Sequence, residues 1–279
     1  YFDEAHNACT KHFFVSVAAM SMVAVQKYFF TATPRVSNKH DRGMNNREIF
    51  GPVLENVPAP ELIQGGHILP PTIVPFETDH VVDKKNPHMV HSNTVQDIID
   101  QLDETDAAKV LVAVPSSRVL GNILGHTDIL SELSDRGYDV LHVTSKFGAY
   151  VNKTKVSREV FFDTLTAWGK DKQRKFVLFH YSILSEGINV PGLTHCIMLR
   201  NLNVVEMAQT IGRVIRLDKD DAAKLQSGEI QPQQWSLYNK PTGFVTVPVH
   251  RNYGKAVIKR LQRITDEIFV KGIPATALV

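Results

Sequence analysis

An α/β fold, with a parallel sheet covered by helices on both faces, is predicted for the C-terminal part of this chain. Three observations predict it. Four short apolar runs, 110–114, 140–143, 176–179 and 196–199, lack the strict alternation of a half-solvated strand. Helical stretches near 117–134 and 157–169 separate them, which is the rhythm of strand-helix units. A further helix over 206–216 follows the last run and carries the densest set of chemically useful side chains.

In chain order, residues 8–25 are rich in helix formers and apolar side chains, and 27–31 reads as a short strand. Thr31-Ala32-Thr33-Pro34 ends it, because proline restricts the residue before it and cannot continue a ladder. Residues 37–47 read as a loop, and 60–64 as a short helix with proline near its start and Gly65-Gly66 past its end. The stretch 70–87 is punctuated by prolines and extended, which suits a passage between domains. A helix follows at 94–102, with Val95, Ile98, Ile99 and Leu102 on one stripe. After the alternating region, residues 217–238 are polar and irregular or partly helical. Residues 244–249 read as a final strand, and 253–270 as a helix with Val257, Leu261, Ile264 and Ile268 on one stripe.

The totals exclude several classes. At 279 residues, with 43% hydrophobic and 22% charged content, the chain suits a folded two-domain protein and not a disordered or fibrous one. A net charge of +2 permits a nucleic-acid partner without demanding one. Cys9 and Cys196 lie far apart and make no metal-spaced cluster. The most apolar run, 13–25, is too short to span a bilayer. With no targeting or membrane segment recognised, a cytoplasmic location is expected.

Four constellations could carry chemistry. On the 206–216 helix, Gln209, Gly212, Arg213 and Arg216 fall at i, i+3, i+4 and i+7, so they share a face. Two guanidiniums beside a glycine suit close approach to a phosphate chain. Asp3-Glu4 is an adjacent carboxylate pair at the expected end of a strand, able to hold magnesium and orient a water. Thr31 and Thr33 follow a strand. Ser185-Glu186-Gly187-Ile188-Asn189-Val190-Pro191 is a loop whose glycine lets backbone approach a ligand. Each alone also fits an ordinary surface helix, turn or loop.

Their order is more specific. Asp-Glu-Ala-His, Thr-Ala-Thr, Ser-Glu-Gly-Ile-Asn-Val-Pro and Gln-x-x-Gly-Arg-x-x-Arg succeed one another at domain-sized intervals. This resembles the superfamily 2 helicases and translocases, in the DEAD/DEAH-box-like group that includes type III restriction subunits and phage DNA helicases. The resemblance implies two RecA-like domains that bind ATP between them and nucleic acid across both. It implies that Asp3 holds Mg2+, Glu4 positions the attacking water, and Gln209, Arg213 and Arg216 serve the γ-phosphate from the second domain. Gly187 and Asn189 would approach the nucleotide, and His6, Thr31 and Thr33 would couple the site to the second domain. Asn189 stands where many relatives carry aspartate, and Tyr181 where a threonine commonly touches the nucleic-acid backbone.

The expected organisation is a C-terminal part of a first RecA-like domain at 1–80, a linker at 81–92, a second RecA-like domain at 93–250, and a C-terminal amphipathic helix and tail at 251–279. The Gly-x-x-x-x-Gly-Lys-Ser/Thr phosphate loop is absent from these residues. Almost no strand precedes Asp3, so an N-terminal portion is expected to be missing and the fragment alone inactive. DNA is the preferred partner through the resemblance, with RNA as the alternative. Candidate backbone contacts are Ser145 and Lys146 past the 140–143 strand, and the stripe Lys255, Lys259 and Arg263. The competing reading is a non-catalytic nucleic-acid-binding or partner-docking module.

Overall fold

The computed structural model describes residues 1–37, 43–102, 108–144, 146–181 and 190–275. A 3-10 turn, Ala5–Cys9, leads into α1 (Lys11–Val23), α2 (Arg47–Phe50) and α3 (Ala59–Gln64). Then come β1 (Pro71–Glu77), α4 (Pro87–Leu102), β2 (Lys109–Ala113), α5 (Ser117–His126), α6 (Ile129–Asp135) and β3 (Asp139–Thr144). A hairpin of β4 (Gly148–Val151) and β5 (Thr154–Val156) precedes α7 (Arg158–Lys170), β6 (Phe176–His180) and β7 (His195–Met198). The order closes with α8 (Val204–Val214), α9 (Lys219–Ser227), β8 (Gly243–Val249) and α10 (Lys255–Ile264), which continues as a π-helical turn, Thr265–Val270.

All eight strands form one sheet in the order β1-β8-β7-β2-β6-β3-β4-β5. The first six in that order pair in parallel, and β4 and β5 add an antiparallel edge. The four apolar runs are β2, β3, β6 and β7. Successive side chains on a strand point to opposite faces, and the core divides accordingly. Leu111, Leu141, Leu178 and Cys196 join one cluster with residues of α7, α8 and α10. Val110, Val112, Val140, Val177, Phe179 and Ile197 join the other with residues of α4, α5 and α6. Both faces are covered, which is why these strands show no polar alternation.

Several elements differ from expectation. The stretch taken as an inter-domain passage contains β1, paired with β8 from Pro71↔Gly243 to Glu77↔Val249. Its prolines are tolerated because β1 is an edge strand, where a missing N–H breaks no second ladder. The sheet therefore takes in 71–77, ahead of the boundary drawn at residue 80. The 27–31 strand is reduced to a single parallel bridge, Phe2↔Phe29. The helical stretch 117–134 is broken at Thr127, whose hydroxyl donates back to the Ile123 carbonyl at 2.6 Å. The β4–β5 hairpin was not anticipated. Its turn uses Asn152 at φ 52, with the side chain accepting from the Val140 N–H at 2.7 Å and donating to Asp139 at 2.9 Å.

Candidate functional site

The N-terminal half of the candidate site hangs on the Phe2↔Phe29 bridge. The Phe2 N–H donates to the Tyr28 carbonyl at 2.8 Å, and the Phe30 N–H to the Phe2 carbonyl at 2.8 Å. This holds Asp3 and Glu4 beside Thr31. Asp3 is exposed, and its Oδ1 accepts the Glu4 N–H at 2.9 Å. Glu4 sits at φ 48, ψ 44, the left-handed region, where a non-glycine residue costs about 1–3 kcal/mol and is often found at functional positions.

From there a polar run crosses to the sheet-forming body. His6 Nδ1 lies 3.4 Å from Glu4 Oε2 and 3.0 Å from Thr31 Oγ1. Thr31 Oγ1 also accepts the Thr33 N–H at 3.1 Å. Thr33 is buried, and its hydroxyl accepts from Gln209 Nε2 at 3.4 Å. Residues from three separated motifs thus meet in one continuous path.

The body presents α8. Asn203 and Glu206 close a capping box at its start, satisfying donors that the first turn leaves free. Met207, Ile211 and Val214 are buried against the sheet, as the helical period predicts. Gly212 faces open space: a methyl there would meet nothing within 4 Å. Arg213 is 8% exposed, far from the solvated surface arginine of the bland alternative. Burial holds its pKa below the ordinary arginine range, Arg216 pushes the same way, and the Glu4 carboxylate opposes both.

One part of the helical reading needs correction. The helix ends at Val214, so Arg216 does not extend the i, i+3, i+4 face. It lies on extended chain whose backbone bridges Ile68, with the Leu69 N–H donating to the Ile215 carbonyl at 2.7 Å. The stop coincides with a close approach of the chain at Gly243. A Cβ there would sit 2.4 Å from the Val214 carbonyl, so β8 begins hard against the end of α8. The backbone carrying Arg213 and Arg216 therefore lies by the amino end of β8.

Three residues not picked out as site candidates stand nearby. The Lys240 ammonium donates to the Arg216 carbonyl at 2.8 Å, and burial lowers its pKa to about 7. His180, at the end of β6, is buried, and neither ring nitrogen is hydrogen-bonded among the described residues. Burial, then Arg213 and Arg200, lower its pKa to about 3. The Arg200 guanidinium lies 4.9 Å from the centre of the Tyr181 ring. A polar residue closing a wholly apolar strand was the available signal for His180.

The remaining candidates are dispersed. Lys146 is exposed just past β3, and Lys255, Lys259 and Arg263 lie along α10, a separate surface. Ser145, Gly187 and Asn189 fall outside the described residues. Among the described residues, no group of three or more histidine, cysteine or acidic side chains could hold a metal ion, and no helix is long and apolar enough to cross a membrane.

Comparison with known proteins places this geometry. Residues 92–218 match the helicase conserved C-terminal domain. No curated protein sequence matches the chain. Among solved structures, 96% of the chain superposes on the ATP-dependent type ISP restriction-modification enzyme LlaBIII bound to DNA, with TM-score 0.60 and 14% identity. A fragment described as the HsdR subunit of a type I restriction enzyme from Vibrio vulnificus matches over 80% of the chain, with TM-score 0.51 and 18% identity. Mss116p bound to single-stranded RNA and AMP-PNP matches over 96%, with TM-score 0.50 and 12% identity. At these identities the likeness is one of fold. The chain spans 20%, 44% and 46% of those three chains, less than half of each. Over residues 92–218 the chain is thus similar to the helicase conserved C-terminal domain, and its parallel-sheet body has the RecA-like fold.

Proposed function

We propose that this chain is the C-terminal portion of an ATP-dependent helicase or translocase, with its N-terminal residues forming the closing part of a first RecA-like domain. In this reading, ATP hydrolysis between the two domains drives strand separation or translocation on nucleic acid. The observation that carries the proposal is the path Glu4–His6–Thr31–Thr33–Gln209, with Arg213 held in the electrostatic range of Glu4. DNA is the first candidate track because the DNA-bound type ISP enzyme superposes with TM-score 0.60, against 0.50 for the RNA-bound Mss116p, each over 96% of the chain. RNA is the alternative.

Asp3 fits a magnesium ligand: its carboxylate is exposed, and one oxygen is steadied by the Glu4 N–H. Magnesium is commonly held by one or two carboxylates together with substrate phosphates, so one exposed carboxylate can serve as its protein ligand. Its chemistry, when bound, is to neutralise charge on the phosphate oxygens. Glu4 orients the attacking water. His6, Thr31 and Thr33 transmit the state of the carboxylates to Gln209. Arg213 and Arg216 stabilise charge developing on the γ-phosphate, a role worth roughly 10³–10⁵ in rate when an arginine is delivered by a second element. Gly187 and Asn189 contribute to nucleotide contact.

No phosphate-cradling loop occurs in the 279 residues, so turnover belongs to a protein in which such a loop is supplied. The test is ATP hydrolysis with and without DNA. A protein joining this chain to a phosphate loop is expected to hydrolyse ATP faster with DNA present, and the 279-residue chain alone to show no appreciable turnover. Strong turnover from the chain alone overturns the split-site reading. Nucleic-acid binding with no turnover in any combination favours the non-catalytic binding module.

A further inference from the structure

The unanticipated β4–β5 hairpin builds a surface that the ATP site does not use. His142 of β3 pairs directly with Tyr150 of β4, their rings stacked at 4.6 Å and 12°, and Tyr150 pairs in turn with Lys155 of β5. Cross-strand partners share a face. His142 alternates with Leu141 and Val143 of one core cluster, so this row lies on the opposite face, the one covered by α5. Phe147, at the turn before β4, lies against α5. A methyl on Gly121 would come within 3.1 Å of its ring, so the glycine keeps that seat open. Phe147 is nevertheless 38% exposed, with the Lys146 ammonium 5.3 Å from its ring centre.

Charge on this surface is predominantly positive, and the Asp139 carboxylate beside the hairpin turn is already paired with Arg174. Between Asp139 and Glu159 the sequence has no carboxylate, while Lys146, Lys153 and Lys155 are exposed. Arg118, exposed and one turn before Gly121 on α5, borders the Phe147 seat. None of these four cations joins an ion pair among the described residues. The α10 stripe differs: Lys259 and Arg263 share their surface with Asp266 and Glu267, and Glu267 already pairs with Lys271 at 2.9 Å. An anion meets uncompensated charge at the hairpin and compensated charge on α10.

We infer that the hairpin edge is a single-stranded nucleic-acid platform, on which Phe147 stacks with a base while Lys146, Lys153, Lys155 and Arg118 line the phosphate path. Exposed aromatics interleaved with cations are what a single strand requires, because every base has a stacking face and the backbone carries the charge. The inference rests on the nucleic-acid reading above and specifies where the strand lies.

The experiment is fluorescence anisotropy of a labelled pyrimidine oligonucleotide with the 279-residue chain, with each variant's fold checked by circular dichroism and thermal melting. Phe147→Ala and Phe147→Leu are each expected to weaken binding roughly tenfold, since stacking on one base is worth about 1–3 kcal/mol. Lys153→Glu with Lys155→Glu is expected to weaken it at least as much and to flatten its salt dependence. Lys255→Ala with Lys259→Ala is expected to change binding less than about twofold. Ribo- and deoxyribo-oligonucleotides should bind within about threefold of each other, and duplex roughly tenfold more weakly. Full binding by Phe147→Leu, equal binding of duplex, a tenfold sugar preference, or a larger loss from the α10 pair each overturns the platform. If the wild-type chain binds and the hairpin variants bind equally well, only the platform fails. If the wild-type chain binds no single strand, the nucleic-acid reading fails with it.

Discussion

The N-terminal segment and the sheet-forming body have similarly apolar sequence but bury it very differently. Residues 1–57 have a small core, Ala8, Val17 and Phe50 with a few partners, while Phe13, Met22, Val25 and Val53 stand exposed, Val25 completely. In the body, two clusters fill both faces of one sheet, and Leu111, Val112, Phe176 and Phe179 are fully buried. Apolar content alone does not make a core. A strand or helix buries its apolar side only when a neighbouring element covers it, and the body supplies neighbours that the N-terminal segment lacks. The proposed ATP site is split along this line, with its carboxylates on the sparsely packed side and Arg213 on the densely packed one.

The sharpest test of that contrast removes one phenylalanine from each region. Phe179→Ala, in the body, is expected to cost about 3–5 kcal/mol of unfolding free energy in urea. Phe13→Ala on α1 is expected to cost under about 0.5 kcal/mol. Comparable losses would mean that the N-terminal segment is packed as tightly as the sheet.

Acid should act on the body next. Burial first, and neighbouring cations or histidines second, lower the pKa of His91 and His195 to about 4, while burial alone takes His142 to about 4. Each stays neutral in the folded chain down to that pH, yet takes a proton near 6.5 when unfolded. Between those values the unfolded chain binds more protons, so stability falls as pH drops from 6.5 towards 4. A histidine as buried as His91 contributes up to about 3 kcal/mol to that loss. Urea midpoints at pH 7 and pH 5 check it, and a flat profile would contradict the neutral buried histidines.

The smallest effect concerns the junction between the regions. Thr33→Val removes the acceptor for Gln209 while keeping shape, and should lower global stability by no more than about 1 kcal/mol. It should still raise hydrogen exchange in residues 1–33 more than in the strands. Uniform change across both regions would mean that this contact does not tie them together.

Much of this was legible in the sequence, and the misses have physical causes. Strands β2, β3, β6 and β7 were readable because burial on both faces leaves an apolar run with little else to suggest. The convergence of His6, Thr31, Thr33 and Gln209 was readable only through motif order, since no periodicity links residues 176 positions apart. β1 was missed because Pro71 and Pro75 argue against a strand unless its edge position is known. The β4–β5 hairpin was missed because two strands of four and three residues carry almost no pattern. Arg216 was placed on the helix because the residues before it continue the helical pattern, whereas the bridge to Ile68 that holds it on extended chain is long-range.

The central claim is that the arginines of the packed body complete a catalyst whose carboxylates lie on the other side of the split. Arg216→Ala, in the protein that joins this chain to a phosphate loop, tests it most directly through ATP turnover and nucleotide affinity measured together. Turnover is expected to fall by roughly 10³-fold or more, with affinity changed less than about threefold. Turnover equal to the unaltered protein would contradict the account.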